Sequence, residues 1–311
     1  MQAILLLCFT YALWFAAAAG ARRSNKPWGP DSIARCVEAA CRALGRLMGL
    51  TFSVVYDGVD PHQSHTCVVA TTPHGAFPLA QVGLGMMQFR VSPPGGISQY
   101  LIGGASILFF VPILREFLLL GGVRSATRKT LQKFLGDGIT VGLNPGGNFE
   151  MTSTKHDQEQ LFAQRGLGFV RIAMEAGVPI VPMYAFGENQ LFTTYPLLLR
   201  WRLWVVRRLR IGAPLFTGRW GVPFLLVPVR PSHVTLVVGR PVDAGPPNAA
   251  PSASEVQAVF ERYVDEIARI FETHAARCLP KEVASRGLLI EWIGHGRIRH
   301  VHARALERDG K

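Results

Sequence analysis

Residues 139–186 read ITVGLNPGGNFEMTSTKHDQEQLFAQRGLGFVRIAMEAGVPIVPMYAF, and their order of elements decides the fold class. Ile139–Leu143 is a short apolar run of strand length. It stops at Asn144-Pro145-Gly146-Gly147, a strong turn signal. Phe169, Ile172, Ala173 and Ala176 then recur at the i, i+3, i+4, i+7 spacing of an amphipathic helix, and Gly177 stands where a C-terminal glycine ends one. Pro179–Phe186 reads as the next strand, with Pro182 marking a bulge or an edge. Strand, helix, strand in this order predicts a βαβ unit and a parallel stretch of sheet.

The neighbouring sequence extends the pattern. Thr66–Ala70 is a β-branched-rich strand that leads into Thr71-Thr72-Pro73-His74-Gly75. Ser125 is placed to cap a helix running to Leu135 and stopping at Gly136, and Val234–Val238 is a further strand. Ser252 and Glu255 form a capping box, after which Val256, Phe260, Tyr263, Ile267 and Ile270 make a long apolar stripe. Ile33–Leu50 has helical character, and Gly245–Pro251 is a connector within a domain rather than a linker. The expected fold is α/β: one domain with a mixed, partly parallel sheet flanked by helices. The expected organisation is an apolar segment at 1–20, a juxtamembrane helical region at 21–54, the main domain at 55–276 and an extension of unknown role at 277–311.

Charged residues make up only 17% of the 311 and hydrophobic ones 49%, where soluble domains carry roughly 25% charged residues. Yet the formal net charge is +12. An oily, basic chain suits an anionic membrane surface or a polyanionic ligand. No zinc-finger spacing or RNA-binding aromatic signature supports nucleic acid as the partner. The five cysteines are irregularly spaced with no Cys-x-x-Cys pair, so neither a disulfide framework nor a metal site is expected. Met1–Gly20 (MQAILLLCFTYALWFAAAAG) has no charged side chain and is followed by Arg22, Arg23 and Lys26. That pattern reads as a membrane anchor with a cytosolic basic flank; a cleaved signal peptide is the other reading, although the basic n-region is missing. Trp201–Arg210 mixes aromatics with arginines, a composition suited to a membrane interface.

Several chemistries are excluded. Asn148-Phe149 stands where a P-loop needs Lys and Ser/Thr, and no Gly-x-Ser-x-Gly or His-Glu-x-x-His occurs. His74, in a strand-to-loop corner between Pro73 and Gly75, is the candidate general base, because a neutral histidine is the usual proton acceptor from an alcohol. A lone Pro-His-Gly is more often a turn than a base. What singles out His74 is the series of blocks downstream: Arg115–Val123 (REFLLLGGV), Gly146–Glu150 (GGNFE), Arg165–Ala173 (RGLGFVRIA), then Gly177, Val181-Pro182 and Phe186-Gly187-Glu188-Asn189.

In order and spacing this series resembles the diacylglycerol acyltransferase type 2 family, which includes monoacylglycerol and wax-ester acyltransferases. The resemblance covers roughly residues 55–274 and is most specific over Arg165–Asn189. It implies a glycerolipid-acyltransferase-like domain that moves an acyl group from acyl-CoA, a co-substrate, onto a lipid hydroxyl, diacylglycerol foremost, with no cofactor. It also implies work at the endoplasmic reticulum membrane, on its cytosolic face, or at the lipid droplet. The family's His-Pro-His-Gly motif is here Thr72-Pro73-His74-Gly75, so the base role carries over to His74 alone, and Thr72 is left a hydrogen-bonding role. The His-x4-Asp of the wider glycerolipid acyltransferases is absent, Leu79 standing at the carboxylate position; Glu150 is the candidate carboxylate for orienting the base or the acceptor. Arg165 and Arg171 match basic positions and are expected to pair with coenzyme A phosphates. Thr72, Pro73, Gly75, Gly146, Gly147, Glu188 and Asn189 are expected around the substrates. The alternative is a catalytically weak lipid- or acyl-CoA-binding relative of the same fold, for which Thr72 is the feature in favour.

Overall fold

The computed structural model describes residues 2–58, 66–91, 99–163, 167–292 and 297–304. The helices are α1 (Gln2–Ala17), α2 (Asp31–Leu47), α3 (Met86–Val91), α4 (Leu114–Leu120), α5 (Arg128–Gly136), α6 (Gly147–Ser153), α7 (Gly168–Ala176), α8 (Leu199–Leu209), α9 (Ala253–Cys278) and α10 (Lys281–Arg286). The strands are β1 (Leu50–Tyr56), β2 (Val68–Thr72), β3 (Tyr100–Gly104), β4 (Val123–Ser125), β5 (Thr140–Leu143), β6 (Glu159–Ala163), β7 (Ile180–Phe186), β8 (Thr193–Thr194), β9 (Phe216–Thr217), β10 (Ser232–Val238), β11 (Leu288–Trp292) and β12 (Arg297–Val301).

The main sheet has the order β1-β10-β7-β2-β5-β3-β4. From β7 to β4 every neighbouring pair is parallel, while β10 runs antiparallel to β7. Side chains alternate across the sheet, as the strand repeat requires. Val68, Ala70, Ile180, Tyr184 and Val237 face the larger core under α5, α7 and α9; Val69, Val181, Met183 and Leu236 face a smaller one with Phe89 of α3. The buried stripe of α9 (Val256, Val259, Phe260, Tyr263, Val264, Ile267) supplies the largest share of that core.

The capping box is present at the start of α9, and Gly177 ends α7 at φ +63°. Two local expectations are corrected, and a third, a bulge or an edge at Pro182, resolves to a bulge. Ser125 does not cap a helix: it ends β4 and its hydroxyl bonds Ser106 at 2.6 Å, while Thr127 caps α5 by accepting from the Thr130 N–H. Pro182 lies in the interior strand β7, not at an edge. Its missing N–H is accommodated by a bulge in the partner: Met183 pairs Val238 but Ile180 pairs Val242, so Gly239-Arg240-Pro241 oppose only two residues. The apolar run at 1–20 does not form one spanning helix. α1 has 16 residues, about 24 Å, and passes into a 3-10 turn over Ala18–Arg23. Among the described residues no helix is long and apolar enough to cross a membrane.

Past the main sheet, β11 pairs parallel with β6 and antiparallel with β12, so the three strands form a small second sheet. Arg124 is buried and donates to the carbonyls of Ser24 (2.8 Å), Lys26 (2.8 Å), Val123 (2.9 Å) and Leu119 (3.0 Å). It fastens the segment after α1 to the sheet edge.

Candidate active site

The parallel strands bring the ends of β2, β5 and β7 to one edge of the sheet, the position at which open α/β sheets place their sites. His74 follows β2, the Asn144–Gly147 turn and α6 follow β5, and Glu188 follows β7. Gly75, at φ +71°, turns the chain directly after the histidine, and a side chain there would press on Glu188 Cγ at 3.1 Å.

His74 Nδ1 lies 3.2 Å from the Gly75 carbonyl oxygen. A carbonyl only accepts, so Nδ1 carries the proton and Nε2 keeps its lone pair. Burial holds the imidazole below the ordinary value of 6.5, so the ring is neutral at neutral pH. A π-helical turn begins at Leu79, too far along the chain for its dipole to set the state of the ring, which burial keeps neutral.

Glu150 is buried, and its Oε1 accepts the backbone N–H of His74 at 2.8 Å and the Thr72 hydroxyl at 3.4 Å. The carboxyl therefore grips the loop that carries His74 through its backbone and makes no hydrogen bond to the imidazole. Its other oxygen packs so closely on Gly146 that any side chain at 146 would collide with it. Burial raises the Glu150 pKa to about 8 against the pull of the two donors, so the group is mostly protonated at pH 7.

Glu188 is fully buried, accepts the Ala80 N–H at 3.0 Å, and is likewise raised to about 8 by burial. It braces the loop from behind Gly75. Gln81 donates to the Pro73 carbonyl at 2.8 Å and accepts from Asn144 Nδ2 at 2.9 Å, which itself reaches the Thr71 carbonyl at 3.2 Å. Each flank of His74 is thus tied to a neighbouring element.

A cavity of about 360 Å³ opens beside this edge. Its walls are apolar (Leu131, Leu161, Phe169, Ile172, Phe260), Arg128 and Arg171 stand among its lining, and Asn144-Pro145 connect it to Gly146. Arg171 also donates to the Pro251 carbonyl at 3.0 Å, and Arg128 is paired with Glu175. Burial raises the pKa of Tyr263, another lining residue, and an ionised Glu150 would raise it further. A second, narrow apolar pocket of about 40 Å³ reaches Thr71, Gln81 and Asn144 from the opposite face of the sheet.

The family model for diacylglycerol acyltransferase matches residues 51–284. The chain belongs to the diacylglycerol acyltransferase family. Human acyl-CoA wax alcohol acyltransferase 2 is 30% identical over 234 residues, covering 69% of this chain and 67% of the relative. The Dictyostelium discoideum diacylglycerol O-acyltransferase 2 is 30% identical over 186 residues (57% of this chain, 56% of the relative). Human 2-acylglycerol O-acyltransferase 3 is 30% identical over 186 residues, 55% of this chain and 53% of the relative. The chain thus spans little more than half the length of most of these relatives. Among solved structures, the 1-acyl-sn-glycerophosphate acyltransferase PlsC from Thermotoga maritima aligns over 87% of this chain and 99% of its own, with a TM-score of 0.44 and 17% identity.

The resemblance read from the sequence blocks is borne out at the level of the family. Within this family member, Thr72, Pro73, His74, Gly75, Gly146, Gly147 and Glu150 are brought together at one edge. Glu188 is close but faces the loop's interior. Asn189 turns away to help hold the buried Glu159. Arg171 lines the cavity, and Arg165 lies outside the described residues. Glu159 was not anticipated: it accepts from Tyr184 (2.6 Å) and Gln190 (2.8 Å) beneath the site and raises the Glu150 pKa further. The available signal was Glu159 two residues before Leu161, a polar residue at a core position of an alternating strand.

Proposed function

We propose that this protein is an acyl-CoA-dependent O-acyltransferase that esterifies a lipid hydroxyl, diacylglycerol foremost, with His74 as general base. The observation that carries the reading is the state of His74: neutral, protonated on Nδ1, and fixed at the carboxyl edge of the sheet by the grip of Glu150 on its backbone. Nε2 takes the proton of the acceptor hydroxyl as its oxygen attacks the thioester carbonyl. The tetrahedral intermediate collapses, the carbon–sulfur bond breaks, and the coenzyme A thiolate recovers the proton from the imidazolium. No protein nucleophile and no cofactor enter this scheme. Glu150 acts as a positioning residue. Thr72 shares its carboxyl oxygen, a role that a threonine hydroxyl fills as a donor.

The apolar cavity with Arg128 and Arg171 in its lining supports acyl-CoA binding there, the arginines serving the phosphates. Arg165 is proposed for the same task from the family pattern. The relatives' names support a neutral lipid alcohol as acceptor. The basic charge and the apolar 1–20 stretch support work on the cytosolic face of the endoplasmic reticulum membrane or at the lipid droplet.

The test is acyl transfer from labelled oleoyl-CoA to a panel of lipid alcohols, using microsomes from cells without their own neutral-lipid synthesis. Ester made by the wild type and not by His74→Ala supports the reading. Acyl-CoA binding without any ester would favour the weakly catalytic relative and point to Thr72.

A further inference from the structure

The segment joining β8 to β10 carries an unusual combination of residues. Between Glu188 and Asp243 the chain has no acidic residue, while Arg200, Arg207, Arg208 and Arg210 lie on or beside α8 and are exposed. Among the described residues none of these four is in an ion pair with a carboxylate. The same segment exposes large apolar side chains: Trp220 is 82% exposed, Trp201 60% and Trp204 57%, with Leu198, Leu209 and Phe224 beside them in sequence. A soluble face this basic would be expected to hide its tryptophans, and a protein interface would be expected to supply acids for some of the arginines.

The segment is held rigidly against the site. Buried Arg202 donates to the carbonyls of Tyr195 (2.6 Å), Leu197 (2.9 Å) and Ala213 (3.1 Å). Asn148 of α6 donates to the Arg210 carbonyl at 2.6 Å, and Ala213 donates to Thr152 of α6 at 3.0 Å. α6 is the helix that carries Glu150. By topology the segment leaves the carboxyl end of β7 and returns to the start of the antiparallel β10, so it stands at the same edge of the sheet as His74. A second exposed apolar group, Phe110 and Ile113 with Phe9 and Leu13 of α1, follows the carboxyl end of β3 on the other side of His74. Tyr11 and Arg115 fasten α1 there, bonding Glu116 (2.8 Å) and the Phe15 carbonyl (2.6 Å).

We propose that residues 195–226 form a docking surface for an anionic lipid bilayer. The tryptophans and leucines enter the interface and the four arginines meet lipid phosphates, so that the carboxyl edge of the sheet, and His74 with it, faces the membrane. The α1 patch supports the opposite flank. Charge complementarity selects the occupant: tryptophan and arginine together on an acid-free surface match the headgroup zone, where one group seeks the apolar boundary and the other the phosphates. The proposal deepens the acyltransferase reading by supplying the route for a lipid acceptor, but its test does not depend on turnover.

The test is flotation of the full chain with phosphatidylcholine vesicles, with and without phosphatidylserine, following tryptophan fluorescence. Wild type is expected to bind the anionic vesicles more tightly and to shift its emission to the blue. Arg207→Gln/Arg208→Gln/Arg210→Gln should lose roughly five-fold in partition per arginine removed. Trp201→Ala/Trp204→Ala/Trp220→Ala should lose the blue shift and most of the binding. Both sets lie on the surface, and unchanged melting curves establish that they fold. Variants that partition as the wild type does would overturn the proposal. So would binding to a soluble acidic polypeptide or nucleic acid that the same substitutions abolish while vesicle binding persists. Loss of docking with ester synthesis retained on a detergent-dispersed acceptor separates this proposal from the catalytic one.

Discussion

At the scale of single residues, the site is a histidine whose backbone matters as much as its ring. Replacing His74 with Gln keeps a polar side chain of similar reach but removes the proposed base, and turnover should fall by about 10²–10⁴-fold with acyl-CoA binding retained. Burial lowers the His74 pKa from 6.5, so the acid limb of the wild-type kcat/KM profile, which reports the free enzyme, should have its midpoint below 6.5; a midpoint above it would deny the neutral imidazole its role. Glu150 calls for a different comparison. Because it is mostly protonated at pH 7, Glu150→Gln is nearly isosteric and leaves a carbonyl oxygen for the His74 N–H and the Thr72 hydroxyl. Its kcat should stay within about ten-fold of wild type. Glu150→Ala leaves both donors without a partner, at a cost of about 1–3 kcal/mol for each buried group, and kcat should fall much further while KM for acyl-CoA changes little. Equal losses in the two variants would mean that the carboxyl takes part in proton transfer.

At the scale of elements, the sequence was legible wherever local chemistry and tertiary structure agreed. The Ser252–Glu255 box and the Gly177 stop each satisfy helix-end groups from within a few residues, and both helices form where the pattern places them. Ser252→Ala should therefore cost about 1 kcal/mol, measurable by urea denaturation. Ser125 misled because β3 offers it a place in the sheet and Ser106 a hydrogen bond, and neither is local information. The grip of Glu150 on His74 joins residues 76 positions apart, so the motif named the partners without revealing the contact. Arg124 was unreadable for the same reason: three of its bonds go to Ser24, Lys26 and Leu119, and only the fold brings these carbonyls together. Arg124→Leu should destabilise the chain by about 3 kcal/mol or more, and Arg124→Lys should recover little, since one ammonium does not reproduce a planar fork. Full recovery by lysine would show that charge alone is needed there.

At the scale of the whole molecule, three glutamates lie buried beneath one edge of the sheet: Glu150, Glu159 and Glu188 are each at most 1% exposed. Burial raises all three above the ordinary 4.5, Glu150 and Glu188 to about 8. An acid whose folded pKa is raised contributes stability that is complete below its unfolded pKa and is lost as pH rises towards the folded one. For Glu150 and Glu188 that window runs from 4.5 to about 8. His74, lowered by desolvation, works in the opposite direction, its contribution being lost as pH falls below 6.5. Asp57 and Glu116, lowered by their partners, lose theirs only below the ordinary carboxylate range. The glutamates therefore dominate the neutral and mildly alkaline range, and Tm should decline from pH 6 to pH 8 and then flatten. A 1.36 kcal/mol change per unit of pKa shift makes each contribution on the order of a few kcal/mol, enough to see in a thermal melt. Glu188→Gln keeps an acceptor for the Ala80 N–H and removes one titration, so its Tm should depend less steeply on pH over that range, at little cost at pH 5. Parallel curves for variant and wild type would mean that Glu188 ionises as readily in the fold as in the open chain, and the uncharged floor beneath His74 would have to be abandoned.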